Sequence, residues 1–204
     1  MTHPFRHFSM LRGVHAADLV TLLNACCGVG AILLLQGAPP PVEPWRAGVA
    51  MLLLVVALAA DIADGAVARH RGTHSVFGRE MDSLSDVISF GVAPAVLGHA
   101  LGLNALLDLP FLLFFVACGI ARLARFNVTA ESLSAGGNKV RYFEGTPITT
   151  SVILAAASVG YFVAAHALPG GQVQLLGAAW HPFSVAFAVM GCLMISKTLR
   201  IPKP

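Results

Sequence analysis

The stretch DIADGAVARHRGTHSVFGREMDSLSD, Asp61 to Asp86, places four aspartates at the edges of two of the most apolar segments of a 204-residue chain. Asp61 and Asp64 close one apolar run, and Asp82 and Asp86 open the next. Spacings of three and four residues set each pair on one helical face. The turn between the runs is short, so the two helices are antiparallel neighbours and their acidic faces meet around one small volume. Four carboxylates held together repel one another and lose heavily on desolvation unless a divalent cation neutralises them. An all-oxygen donor set favours Mg²⁺, Mn²⁺ or Ca²⁺ over zinc. Mg²⁺ keeps positions open for water or phosphate oxygens, which points to a phosphate-bearing substrate. Helix capping accounts for Asp82 and Asp86 at a helix start. It fails for Asp61 and Asp64 near a helix end, where the macrodipole disfavours anions.

The rest of the composition belongs to a membrane protein. Hydrophobic residues make up 56% of the chain and charged residues 11%, against about 25% charged in a soluble domain. Mean hydropathy is +0.76. Cys26, Cys27, Cys118 and Cys192 lie in apolar runs without CxxC spacing, and read as small packing hydrophobes. The eight histidines pair with no acidic motif at metal-ligand spacing and read mostly as interfacial or loop residues.

Six stretches are apolar over the roughly 20 residues a bilayer helix needs: 17–37, 46–69, 83–103, 106–126, 147–167 and 176–196. The expected fold is therefore all-α, a polytopic bundle of six transmembrane helices. Residues 1–16 form a cytoplasmic juxtamembrane segment, and residues 17–204 form one catalytic membrane domain. The first run is longer than a signal-peptide core and lacks a small-x-small cleavage pattern, so it reads as a retained span. Ahead of it, His3, Phe5, Arg6, His7, Phe8, Leu11 and Arg12 form either a short basic amphipathic helix or a disordered arm. With six spans, every Lys and Arg except Arg46 falls on the side that carries both termini. The positive-inside rule makes that side cytoplasmic, and the four aspartates lie there too.

Small residues between the aspartates let helices or a ligand approach the backbone. The pattern D-x2-D-G-x2-A-R-x8-G-x3-D-x3-D, here Asp61, Asp64, Gly65, Ala68, Arg69, Gly78, Asp82 and Asp86, resembles the signature of the CDP-alcohol phosphotransferases. All eight positions match. The resemblance implies a six-span membrane enzyme, often a homodimer, that moves a phosphatidyl-type group from a CDP-linked donor to an alcohol and releases CMP. It implies that Asp61, Asp64 and Asp82 hold one or two divalent ions, Mg²⁺ or Mn²⁺. Asp86 is then the general base with metal contact as well, and Asp61, Gly65, Ala68, Arg69 and Gly78 line the CDP-donor site.

Within the family, SLSDVISFGVAPA (Ser83–Ala95), ARLARFNV (Ala121–Val128) and RYFEGTPITTS (Arg141–Ser151) resemble the integral-membrane phosphatidylserine synthases of bacteria. The likeness covers roughly residues 17–155. Where that group has a Gly-Leu-Pro-like turn, this chain reads Gly145-Thr146-Pro147. The implied substrates are CDP-diacylglycerol and L-serine, in contact with membrane lipids and without nucleic acid. Arg122 and Arg125, three residues apart at a helix end, are candidates to clamp a phosphate or carboxylate, with Lys139 and Arg141 adding charge nearby. Asn127, Glu144 and Thr146 are weaker candidates for polar contacts. The same cations would serve glycerol 3-phosphate or an inositol phosphate, so charge alone leaves the acceptor open. A transporter or ion pathway is the reading from another class, since intramembrane acids mark such routes. Acids gathered at one membrane face, with no inverted repeat, argue against it.

Overall fold

The computed structural model describes residues 16–71, 76–136, 142–175, 177–198 and 200–202. Residues 1–15, with the basic arm, and Lys139 and Arg141 lie outside the described residues. Among the described residues seven α-helices run in chain order: α1 (Ala16–Leu35), α2 (Pro44–Arg71), α3 (Val76–Asp86), α4 (Ala93–Ala100), α5 (Leu109–Gly136), α6 (Ser151–Ala165) and α7 (Ser184–Ile195). The described residues also form two short antiparallel ribbons: β1 (Tyr142–Glu144) with β4 (Arg200–Pro202), and β2 (Val173–Leu175) with β3 (Ala178–Trp180).

Among the described residues four helices, not six, are long and apolar enough to cross a membrane: Asp18–Leu35, Pro44–Ala66, Leu109–Thr129 and Ile148–Ala165. The third expected span is instead composite. α3 carries Arg79, Glu80, Asp82 and Asp86, and a π-helical segment, Val87–Val92, separates it from α4. Pro94 sits in the first turn of α4. It has no N–H to offer the carbonyl of Phe90, and the Ser151 hydroxyl donates to that carbonyl instead, at 2.7 Å. The sixth expected span shortens because part of its window folds as the β2–β3 hairpin. The helix that remains has 12 residues, about 18 Å long against a hydrocarbon core of about 30 Å.

α1 and α2 pack along a seam of buried Ala31, Ala47, Ala50 and Ala57, small enough for close helix approach. Phe115 on α5 meets Phe187 on α7 edge to face, centroids 5.5 Å apart, at the centre of the core. At one end of the bundle the Val42 N–H donates to the Ala100 carbonyl at 2.9 Å. There, too, fully buried Asp108 accepts from the backbone N–H groups of Ala105 and His181 and faces the His181 ring at 2.6 Å. His181, expected as an interfacial or loop residue, is thus latched to the turn before α5.

The opposite end gathers the start of α1, the end of α2, α3, the end of α5 and the end of α7. Gly28 sets the spacing there. A Cβ on Gly28 would collide with the Ser89 hydroxyl and lie 2.8 Å from the Ser89 Cα, so α1 touches the π segment backbone to backbone. Gly145, at φ +77°, turns the chain against the last carbonyls of α7, where only glycine adopts that conformation freely.

Gly28→Ala is expected to destabilise by about 1–3 kcal/mol through overpacking, lowering the thermal midpoint in detergent by roughly 2–4 °C per kcal/mol. Gly48, also helical, has open space at its Cβ position, so Gly48→Ala leaves the midpoint unchanged or raises it. Equal midpoints for the two variants would remove Gly28 from its role as a contact point.

Candidate active site

The last turns of α2 carry Asp61 and Asp64, and α3 returns with Asp82 and Asp86. Asp61, Asp64 and Asp82 each bring one carboxylate oxygen within 4.8 Å of the others. Asp86 stands beside them, within hydrogen-bonding reach of Asp61. Asp64 and Asp86 are buried, and Asp61 and Asp82 are partly buried. Among the described residues, no Lys or Arg forms an ion pair with any of the four. One oxygen of Asp82 is buried without a hydrogen-bond partner.

Such a cluster resists ionisation. Burial, then the charges of Asp64 and Asp61, push the Asp82 carboxyl up to about 7. Burial, then Asp61 and Asp82, raise Asp86 as well. Both lie above the ordinary 3.8. The groups therefore support the fold fully only while protonated, below the unfolded value, and the share of Asp82 is lost as pH rises through about 7. A divalent cation removes the penalty, and the donor set fits one: three converging oxygens, one of them without a partner, and neither sulfur nor nitrogen among them.

Two site residues come from α1, which the sequence reading treated as a plain span. Thr21 donates its hydroxyl to an Asp64 oxygen at 2.7 Å. One turn on, the Asn24 amide donates to an Asp86 oxygen at 3.2 Å. Both are buried, Asn24 completely. The only signal in the sequence was two polar residues three apart in AADLVTLLNACC.

The expected acceptor-side residues are dispersed. Arg122 is buried, and it lies close enough to Asp86 to interact electrostatically. Its Nε has no hydrogen-bond partner. Arg125, one turn later, reaches the Ile195 carbonyl at the end of α7 at 3.5 Å, so the two arginines face different surroundings. The Asn127 side chain ties α5 to α3 through Ser83 at 2.9 Å and Glu80 at 3.2 Å. The Thr146 N–H donates to the Leu193 carbonyl at 3.1 Å, and its buried hydroxyl has no partner. Gly65 follows Asp64 on α2, and Gly78 lies one turn before Asp82 on α3; both are partly buried. Ala68 and Arg69 lie in the last turns of α2, where only the backbone is described.

The family model for CDP-alcohol phosphatidyltransferases matches residues 14–193. The chain is similar to the CDP-diacylglycerol–serine O-phosphatidyltransferase of Saccharomyces cerevisiae, 41% identical over 97% of this chain and 74% of that protein. It is also similar to the archaetidylserine synthase of Methanothermobacter thermautotrophicus, 40% identical over 67% of this chain and 54% of that one. The CDP-diacylglycerol–serine O-phosphatidyltransferase of Methanocaldococcus jannaschii is 37% identical over 72% of this chain and 61% of its own length.

Protons and cation compete for the same oxygens. Mn²⁺ affinity, read from the spin-resonance signal of the free ion, is expected to rise between about pH 6 and pH 8, on the order of tenfold per pH unit for each proton displaced. A flat profile would mean that the carboxylates do not carry the cation.

Proposed function

The chain belongs to the CDP-alcohol phosphatidyltransferase family, and from that premise we propose that it transfers the phosphatidyl group of CDP-diacylglycerol to the hydroxyl of L-serine, forming phosphatidylserine and CMP. The observation that carries the reading is the convergence of Asp61, Asp64 and Asp82, with Asp86 alongside, at one end of helices long enough to cross a bilayer. Serine as acceptor is supported by the relatives from Saccharomyces cerevisiae and Methanocaldococcus jannaschii.

Asp61, Asp64 and Asp82, with Asp86 in contact, would hold the divalent cation, Mg²⁺ or Mn²⁺. When bound, it neutralises charge on the donor pyrophosphate and on departing CMP. Gly65, Ala68, Arg69 and Gly78 border the donor beside Asp61, with small residues giving the nucleotide room against the backbone. Asp86 accepts the proton of the serine hydroxyl. The serine oxygen forms its bond to the phosphorus that bears diacylglycerol. The bond from that phosphorus to the CMP oxygen breaks, and CMP leaves with the electron pair. No covalent enzyme intermediate is needed. Arg122, beside Asp86, offers its guanidinium to the serine carboxylate, with Arg125, Lys139 and Arg141 supplying further positive charge.

The site opens on the cytoplasmic face of the cell membrane, with both termini on that side. Arg79, Arg122, Arg125, Lys197 and Arg200 belong to the carboxylate end of the bundle, and Arg46, bonded to the Leu34 carbonyl, to the other. That asymmetry supports the orientation. The arrangement of residues 1–16 as a juxtamembrane segment, residues 17–204 as the catalytic domain, and the whole as a homodimer among membrane lipids belongs to the same reading. The homodimer rests on the family resemblance alone.

Purified protein in detergent with CDP-diacylglycerol and Mn²⁺ or Mg²⁺ is expected to release CMP with L-serine, and not with glycerol 3-phosphate or an inositol phosphate. Release with one of those acceptors instead would move the assignment to that acceptor. Asp86→Asn is expected to keep donor binding and lose about 10²- to 10⁴-fold in kcat. Wild-type turnover in that variant would take the base role away from Asp86.

A further inference from the structure

Asn24 lies outside the eight-residue motif, yet it is the hydrogen-bond donor that Asp86 receives from α1. The Asn24 amide nitrogen donates to Asp86, the direction required once a cation holds the cluster ionised, because an ionised carboxylate only accepts. That leaves the amide oxygen of Asn24 buried with no partner. A completely buried polar group that is only half satisfied is a poor choice for packing, and an apolar side chain would serve α1 better. The amide position is also held firmly. The Asn24 carbonyl accepts from the Ser89 hydroxyl at 2.9 Å. One turn further, Gly28 abuts the same Ser89 without room for a Cβ. Ser89 lies three residues after Asp86, so the contact that fixes Asn24 also fixes the segment that carries the carboxylate.

We infer that Asn24 is the positioning residue of the proposed base: it ties down one oxygen of Asp86 so that the other stays directed at the acceptor hydroxyl. The inference rests on the transfer reading above and adds to it a residue from a different helix. Thr21 provides an internal contrast. It makes the equivalent bond to Asp64, a cation-holding carboxylate, so its loss is felt in cation affinity first. Loss of Asn24 is felt in turnover.

The experiment is a double-mutant cycle on the full-length enzyme, with CMP release, Mn²⁺ affinity and thermal midpoint measured on each variant. Asn24→Leu is expected to lower kcat by about 10- to 100-fold, with the KM for CDP-diacylglycerol unchanged, a smaller loss of Mn²⁺ affinity than Thr21→Val produces, and the midpoint maintained. In an Asp86→Asn background the same substitution costs nothing further, because it acts through Asp86. Thr21→Val weakens Mn²⁺ affinity more strongly. Should Asn24→Leu fail to fold, Asn24→Ala, which adds no volume, takes its place in the cycle. Full kcat in the Asn24 variants, or additive losses with Asp86→Asn, would overturn the inference. If Asp86→Asn itself keeps wild-type turnover, the transfer reading fails first, and the two failures are told apart by that single variant.

Discussion

Like charge held together out of water is the constraint on which the rest of this molecule depends. Three carboxylate oxygens lie within 4.8 Å of one another, a fourth acid stands beside them, and no described Lys or Arg pairs with them. Such an arrangement persists only if neighbouring elements grip each acid and a cation or protons absorb the charge. The neighbours do this from three directions. α1 lends hydroxyl and amide donors, the π segment locks α1 in place through Ser89, and α5 brings Arg122 close to Asp86.

The composite third helix follows from the same demand. A single apolar helix cannot carry Arg79, Glu80, Asp82 and Asp86 and also fill the core. The chain separates these tasks. α3 holds the charged half, and α4 the buried half with Leu97 and Ala100. The π segment between them moves Phe90 and Ser89 into contact with α6 and α1. π segments of this kind recur at functional sites, and here one begins directly after Asp86.

The site was legible in the sequence where its logic is local. Spacings of three and four residues placed the aspartates on helical faces, and a short turn made those faces meet. Thr21 and Asn24 escaped notice because their partners lie 43 and 62 residues away, and two polar residues hardly alter the hydropathy of an 18-residue window. Six spans were expected because that window is blind to two things. It cannot see that Pro94 breaks a helical hydrogen-bond ladder. It also scores glycine and alanine in Gly177–Ala179 as apolar, where they turn and pair as a hairpin. The paired arginines, adjacent on the page, diverge because Arg125 bonds the end of α7 while Arg122 turns inward.

The shortness of α7 has a consequence for the lipid around it. A helix of 12 residues falls about 12 Å short of the hydrocarbon thickness that its long neighbours match. A bilayer matched to the four long helices would meet a step beside α7. Acyl chains bend and headgroups sink to follow such a step, at a cost of fractions of a kcal/mol per Å. A bilayer that follows the step would thin on the flank formed by α5 and α7. Arg125 and Thr146 lie on that flank, bonded to the last carbonyls of α7.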